Sequence, residues 1–167
     1  MDAAYITPFI AAIKNVFSTM LQLDVQIGQP SIKNDVATTY DVSGIIGMSG
    51  DVVGSIVLSF PQETALNAVA RFLGSRPTVD SPDFADAIGE LTNMVSGNAK
   101  GMFAGDRRVS ISCPSVVVGM AHIIAKQKDT PTIVIPCKTD LGALAIEVSI
   151  RESAKKPATP AAASATA

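Results

Sequence analysis

The chain has 167 residues, 47% of them apolar and 17% charged, a composition that builds a core and excludes a disordered chain. Thirteen basic residues against fifteen acidic ones leave a net charge of −2, so there is no broad basic face for nucleic acid, and six Phe, two Tyr and no Trp are too few for a platform on which bases stack. His122 is the only histidine and Cys113 and Cys137 are the only cysteines, which leaves almost nothing from which to build a zinc centre or a histidine-based triad.

The segment Met1-Asp2-Ala3-Ala4 carries an acid where a signal peptide carries positive charge, and Pro8 interrupts the apolar stretch behind it. No apolar run approaches membrane-spanning length; Val116 to Ala125 is the longest and contains His122. A cytoplasmic protein with two buried, reduced thiols and no membrane contact is expected. From Ala4 to Met20, Ile6, Phe9, Ile10, Ile13, Phe17 and Met20 recur at helical steps and predict an amphipathic helix. Val25 to Pro30 alternates weakly, as a short strand does. Thr39 to Met48 and Val52 to Phe60 flank Ser49-Gly50-Asp51 and predict a β-hairpin. Pro61-Gln62-Glu63 opens a second helix through Leu66, Val69, Ala70 and Leu73, which Gly74 ends.

Ser81-Pro82-Asp83 starts a third helix that reaches about Ala104. Strands follow around Val109 to Val118, broken by Pro114, and from Ala121 to Lys126. A last hairpin pairs Thr132 to Cys137 with Ala143 to Ile150. These elements define an α/β chain of the α+β type, with long helices on an antiparallel sheet. The halves echo each other as helix, strand and closing hairpin, with Val53 to Phe60 resembling Leu141 to Val148. An internal α-β-β-β duplication produces such an echo, and so do two hairpins obeying the same alternation rules. The single domain is expected over residues 1–152. Residues 153–167, dominated by Ala and Pro, are expected to form a disordered tail, whose last eleven residues contain no apolar anchor to offset the entropy of ordering them.

The third helix is the informative one. At 100° per residue, Phe84, Ile88, Leu91, Val95, Ala99 and Met102 gather on the core side, while Asp86, Glu90, Asn93, Gly97 and Lys100 share an arc of roughly 100° opposite. Glu90 and Asn93 are neighbours at i and i+3. The plain reading is a solvated polar face. Against it, Gly97 costs about 1 kcal/mol relative to alanine within a helix, and a bare backbone there lets another surface approach closely. Asparagine, too, belongs at caps more than in helix interiors. A docking stripe explains both choices.

The stretch Asp86-x-x-x-Glu90-x-x-Asn93, continuing Met94-Val-Ser-Gly-Asn98-Ala, resembles the signature of the CheC/CheX/FliY family of chemotaxis phosphatases, and Ser112 to Gly119 and Ile133 to Gly142 resemble that family's second half. The likeness is strongest to the CheX branch, with one motif per chain where CheC has two. Here the first helix offers Ala12-x-x-Asn15, lacking the carboxylate. The family pattern also carries a proline a little over twenty residues after the asparagine; Pro114 follows Asn93 after twenty.

The resemblance implies a phosphatase that hydrolyses the aspartyl phosphate of a CheY-like response regulator. The chain itself would bind no cofactor, since the Mg2+ belongs to the regulator. Asn93 would hold the attacking water and Glu90 would pair with the regulator's active-site lysine, while Asp86, Gly97 and Lys100 would line the partner-binding stripe. Phosphoryl transfer suits such a pair, because its loose transition state needs positioning and charge stabilisation more than a strong base. The resemblance further implies a homodimer joined through strands. The alternative from another class is a non-catalytic regulator-binding adaptor or sink. His122 is expected to be a structural strand residue, the methionines core filler, and Arg107-Arg108 a solvated turn.

Overall fold

A computed structural model describes residues 3–35, 38–103, 106–124 and 129–154; the tail expected over 153–167 lies outside these beyond residue 154. Three α-helices, α1 (Thr7–Val16), α2 (Gln62–Leu73) and α3 (Pro82–Gly101), pack on an antiparallel sheet of eight strands. The strands are β1 (Gln26–Ile27), β2 (Ser31–Ile32), β3 (Val42–Gly50), β4 (Val52–Phe60), β5 (Val109–Ile111), β6 (Ser115–Val118), β7 (Ile133–Thr139) and β8 (Gly142–Glu152).

The hairpins β3–β4 and β7–β8 lie side by side, joined at the centre by β4 and β8, where Ile56 pairs with Val148 and Leu58 with Ile146. Outward from that seam each side repeats the same plan. Beyond β3 lies an edge strand in two pieces, β5 and β6; beyond β7 lies another, β1 and β2. Each broken edge comes from the opposite half of the chain. The sequence echo thus has a two-fold arrangement behind it, with α1 and α3 packed against each other and α2 as the addition without a counterpart. Phe9, Ile13, Phe17, Ile56, Leu58, Phe84, Ile88, Leu91, Ile146 and Val148 form the core between helices and sheet. Gly44 on β3 lets α3 lie close to the sheet, since a Cβ there would collide with the hydroxyl of Thr92.

Several expectations need correction. Residues 17–21 form a single π-helical turn, and its wider winding brings Leu21 to the core in place of Met20, which is exposed. The third helix stops at Gly101, so Met102 faces solvent. Leu73 is exposed at the end of α2. The strand expected over 121–126 is absent from its described residues: Gly119 and Ala121 at positive φ turn the chain, and His122 is held by Ser43 Oγ at 2.9 Å and the Gly119 carbonyl at 2.8 Å. Met120 is also exposed. Arg107 forms an ion pair with Glu152 at 2.9 Å and lies over the ring of Tyr5, which makes it a clasp between the segment before α1 and the last strand, β8. Of the two thiols only Cys137 is buried; Cys113 is exposed.

Candidate functional site

Helix α3 begins where the sequence says it must. The Ser81 hydroxyl accepts the Phe84 amide proton at 3.2 Å, Pro82 occupies the first turn, and Asp83 sits at the positive end of the dipole. Its buried side is broad, running through Phe84, Ala87, Ile88, Leu91, Thr92, Val95, Ser96 and Ala99, because α1 flanks it on one side, α2 on the other and the sheet lies beneath. What remains outward is a narrow strip. Asp86, Glu90, Gly97 and Lys100 are exposed on it and Asn93 is half-buried. All five predicted site residues are therefore brought onto one surface.

The strip is chemically uncommitted. Among the described residues, the side chains of Asp86, Glu90, Asn93 and Lys100 make no hydrogen bond or ion pair within the chain, and nothing lies within 4 Å of a Cβ built on Gly97. The comparable stretch of α1 is different on both counts. Ala12 is fully buried, and the Asn15 side-chain amide donates to Asn98 Oδ1 at 2.8 Å, tying α1 to α3. A second Glu-Asn pair is therefore missing in structure as well as in sequence. Among the described residues, no group of three or more His, Cys, Asp or Glu could hold a metal ion, and no helix is long and apolar enough to cross a membrane.

Two depressions flank Asp86 and Glu90. One, of about 480 Å³, lies towards α2 against Phe72, Leu73 and Ser75. The other, about 450 Å³, is lined by Ala85, Asp86, Gly89, Glu90, Pro114 and Val116. Periodicity did not single out this second wall. Its signal was the glycine at 89, which sits within the helix next to Glu90 and is buried under Pro114: a Cβ at Gly89 would stand 3.3 Å from Pro114 Cγ.

The fold has close parallels among solved structures. A CheX protein from Desulfovibrio desulfuricans superposes with a TM-score of 0.80 at 33% identity, covering 89% of this chain and 99% of that one. CheX in a CheX–CheY–BeF3–Mg2+ complex from Borrelia burgdorferi gives a TM-score of 0.73 at 26% identity, over 89% and 98% of the two chains. These define the class as a CheC-like fold. The family model for chemotaxis phosphatase CheX matches residues 42–138, and the CheY-P phosphatase CheX of Thermotoga maritima is 31% identical over 121 residues, 71% of this chain and 78% of that protein. The chain belongs to the CheX family of chemotaxis phosphatases.

Proposed function

We propose that the protein hydrolyses the aspartyl phosphate of a CheY-like response regulator, with Asn93 positioning the attacking water and Glu90 anchoring the partner. The observation that carries this reading is the uncommitted Glu90-x-x-Asn93 pair on a strip otherwise hemmed in by packing. Support for the partner comes from relatives: one is a CheY-P phosphatase and another is seen in complex with CheY, BeF3 and Mg2+.

Docked with α3 across the phosphorylation site, Asn93 accepts a hydrogen bond from a water through its amide oxygen and holds that water in line with phosphorus. The water oxygen bonds to phosphorus as the bond to the aspartyl oxygen breaks. The regulator regains its carboxylate, and both of the water's protons go to inorganic phosphate, which leaves as H2PO4− and passes one of them on to solvent as it equilibrates. The amide takes no proton at neutral pH, so its contribution is orientation. Glu90 pairs with the regulator's active-site lysine and fixes the register of the helix. Asp86 extends that negative surface, Gly97 gives clearance one turn beyond Asn93, and Lys100 closes the strip with a cation. The regulator's own Mg2+ neutralises charge on the transferring phosphoryl group.

The protein is further proposed to be a homodimer. The outer edge of β6 has no strand beyond it among the described residues, and Val118, Met120 and Ile123 expose an apolar surface at its end, a combination suited to pairing with a second copy.

The deciding experiment follows phosphate release from a phosphorylated receiver domain in Mg2+. The wild-type chain should accelerate release, and Asn93→Ala should lose on the order of 100-fold, the scale of removing one positioned group from a transition state, while still forming the complex. Release at the receiver's spontaneous rate despite complex formation would leave only an adaptor.

A further inference from the structure

The edge strand that faces α3 is broken at residues 112–114, and the break is built. β5 pairs with Met48 to Gly50 of β3 and β6 pairs with Val42 to Ile45. Between them, Ser112 substitutes for the missing rungs: its amide donates to the Gly47 carbonyl at 2.9 Å, and its Oγ accepts from the Gly47 amide at 3.0 Å. The chain is thus held to the sheet at Ser112 while Cys113 and Pro114 bulge away from it, as an interruption of this kind re-aims side chains. Pro114 lands on α3 at Gly89. An added Cβ there would lie 3.3 Å from Pro114 Cγ, and 3.6 Å from both Pro114 Cβ and Val116 Cγ2. A glycine inside a helix costs about 1 kcal/mol relative to alanine, and this close approach is what it permits.

From this geometry we infer that segment 112–114 forms part of the surface on which the response regulator docks. Pro114 is the positioning residue that sets the second wall of the groove beside Glu90, and the exposed Cys113 immediately precedes it in the chain. The inference rests on the function proposed above. The groove shares Asp86 and Glu90 with the outward strip of α3, so a partner engaging Glu90 lies over the groove and over the loop that walls it. The occupant is thereby fixed as the same regulator that presents its phosphorylation site to Asn93.

Cys113 supplies the readout. It is exposed, whereas Cys137 is buried with its thiol pushed up to about 12 by burial, so a thiol reagent at neutral pH reports on Cys113 alone. Labelling of the wild-type chain is followed with and without a beryllofluoride-activated receiver domain in Mg2+, the beryllofluoride standing for the phosphoryl group. Labelling should slow in proportion to the fraction bound, as measured independently by titration. Glu90→Ala should lose that protection at the same receiver concentration. Cys113 labelled at its free rate in a saturated complex overturns the inference.

The positioning role has its own test. Gly89→Ala should raise KM severalfold with kcat unchanged and no loss of thermal stability, and adding Pro114→Ala should restore KM. An unchanged KM in Gly89→Ala, or a loss confined to kcat, overturns it. The two levels separate cleanly. Full activity in Asn93→Ala defeats the functional reading itself; turnover that depends on Asn93 with Cys113 open throughout defeats only this one.

Discussion

Asn15 and Asn93 sit on two helices packed side by side, and they differ in what their amides are doing. Asn15 is spent on Asn98 across the helix pair; Asn93, half-buried and without a partner among the described residues, is available. Its neighbour Glu90 is exposed, so removing it leaves no buried charge behind and the fold should tolerate the change. Glu90→Ala should weaken regulator binding by about tenfold or more, the range seen when one partner of an interfacial charge pair is truncated. Most of the lost rate should return at saturating protein. Kinetics with the receiver and this phosphatase each varied in turn distinguish that behaviour from the Asn93→Ala defect, which saturation cannot restore. The Glu-Asn pair was legible from sequence because two residues at i and i+3 must share a helix face. Gly89 was not, because its purpose lies in a proline twenty-five positions later in the chain.

At the scale of the element, α3 is a 20-residue helix enclosed on three sides, and its exposed strip is as narrow as the packing of α1 and α2 allows. Gly97 meets nothing within the chain, so leucine there should be accommodated and, with its higher helix propensity, should stabilise the chain by up to about 1 kcal/mol. The same side chain stands where a docked regulator needs clearance. Gly97→Leu should therefore raise the melting temperature while abolishing accelerated phosphate release. A stable Gly97→Leu variant with normal activity would show that the partner does not come this far along the helix. Helix α1 shows the limit of periodicity. The pattern through Phe17 was readable, but the π-helical turn at 17–21 changes the winding and puts Leu21 where Met20 was expected.

Across the whole molecule, one face of the sheet carries the helices, and part of the other is covered by connecting segments that the sequence did not flag as packed. Glu147 of β8 projects to that second face, with its side chain only 5% exposed, and accepts from Lys33 Nζ, the Thr39 amide and the Thr39 hydroxyl, each at 2.8 Å. Glu147→Ala would leave the equally buried Lys33 ammonium with only the more distant Asp35 carboxylate at 3.9 Å and the Thr39 hydroxyl at 3.5 Å, and should cost about 3 kcal/mol, the low end of the range for removing one partner of a buried pair. Denaturant unfolding measures it, and Glu147→Gln, which keeps an acceptor, should lose less. The proposed dimer belongs to this scale too. Light scattering at micromolar concentration should give twice the mass of the chain, and Met120→Lys at the apolar end of β6 should shift the population towards monomer. A monomeric wild type would remove the β6 edge from consideration.

The sequence by itself determined most of the element types, the two hairpins and the outward strip of α3, because all of these follow from periodicities of 2 and 3.6 and from local turn and cap chemistry: Ser81-Pro82, Gly74, and the alternation of Val52 to Phe60. The strip's likeness to a phosphatase signature was legible for the same reason, since its residues are neighbours along one helix. The tertiary structure decided which strands meet. It crossed the edge strands so that β5 and β6 border the first hairpin while β1 and β2 border the second, brought Lys33 to Glu147, and set Pro114 against Gly89. Those are contacts between residues far apart in the chain, selected by burial and close approach, and no local pattern records them.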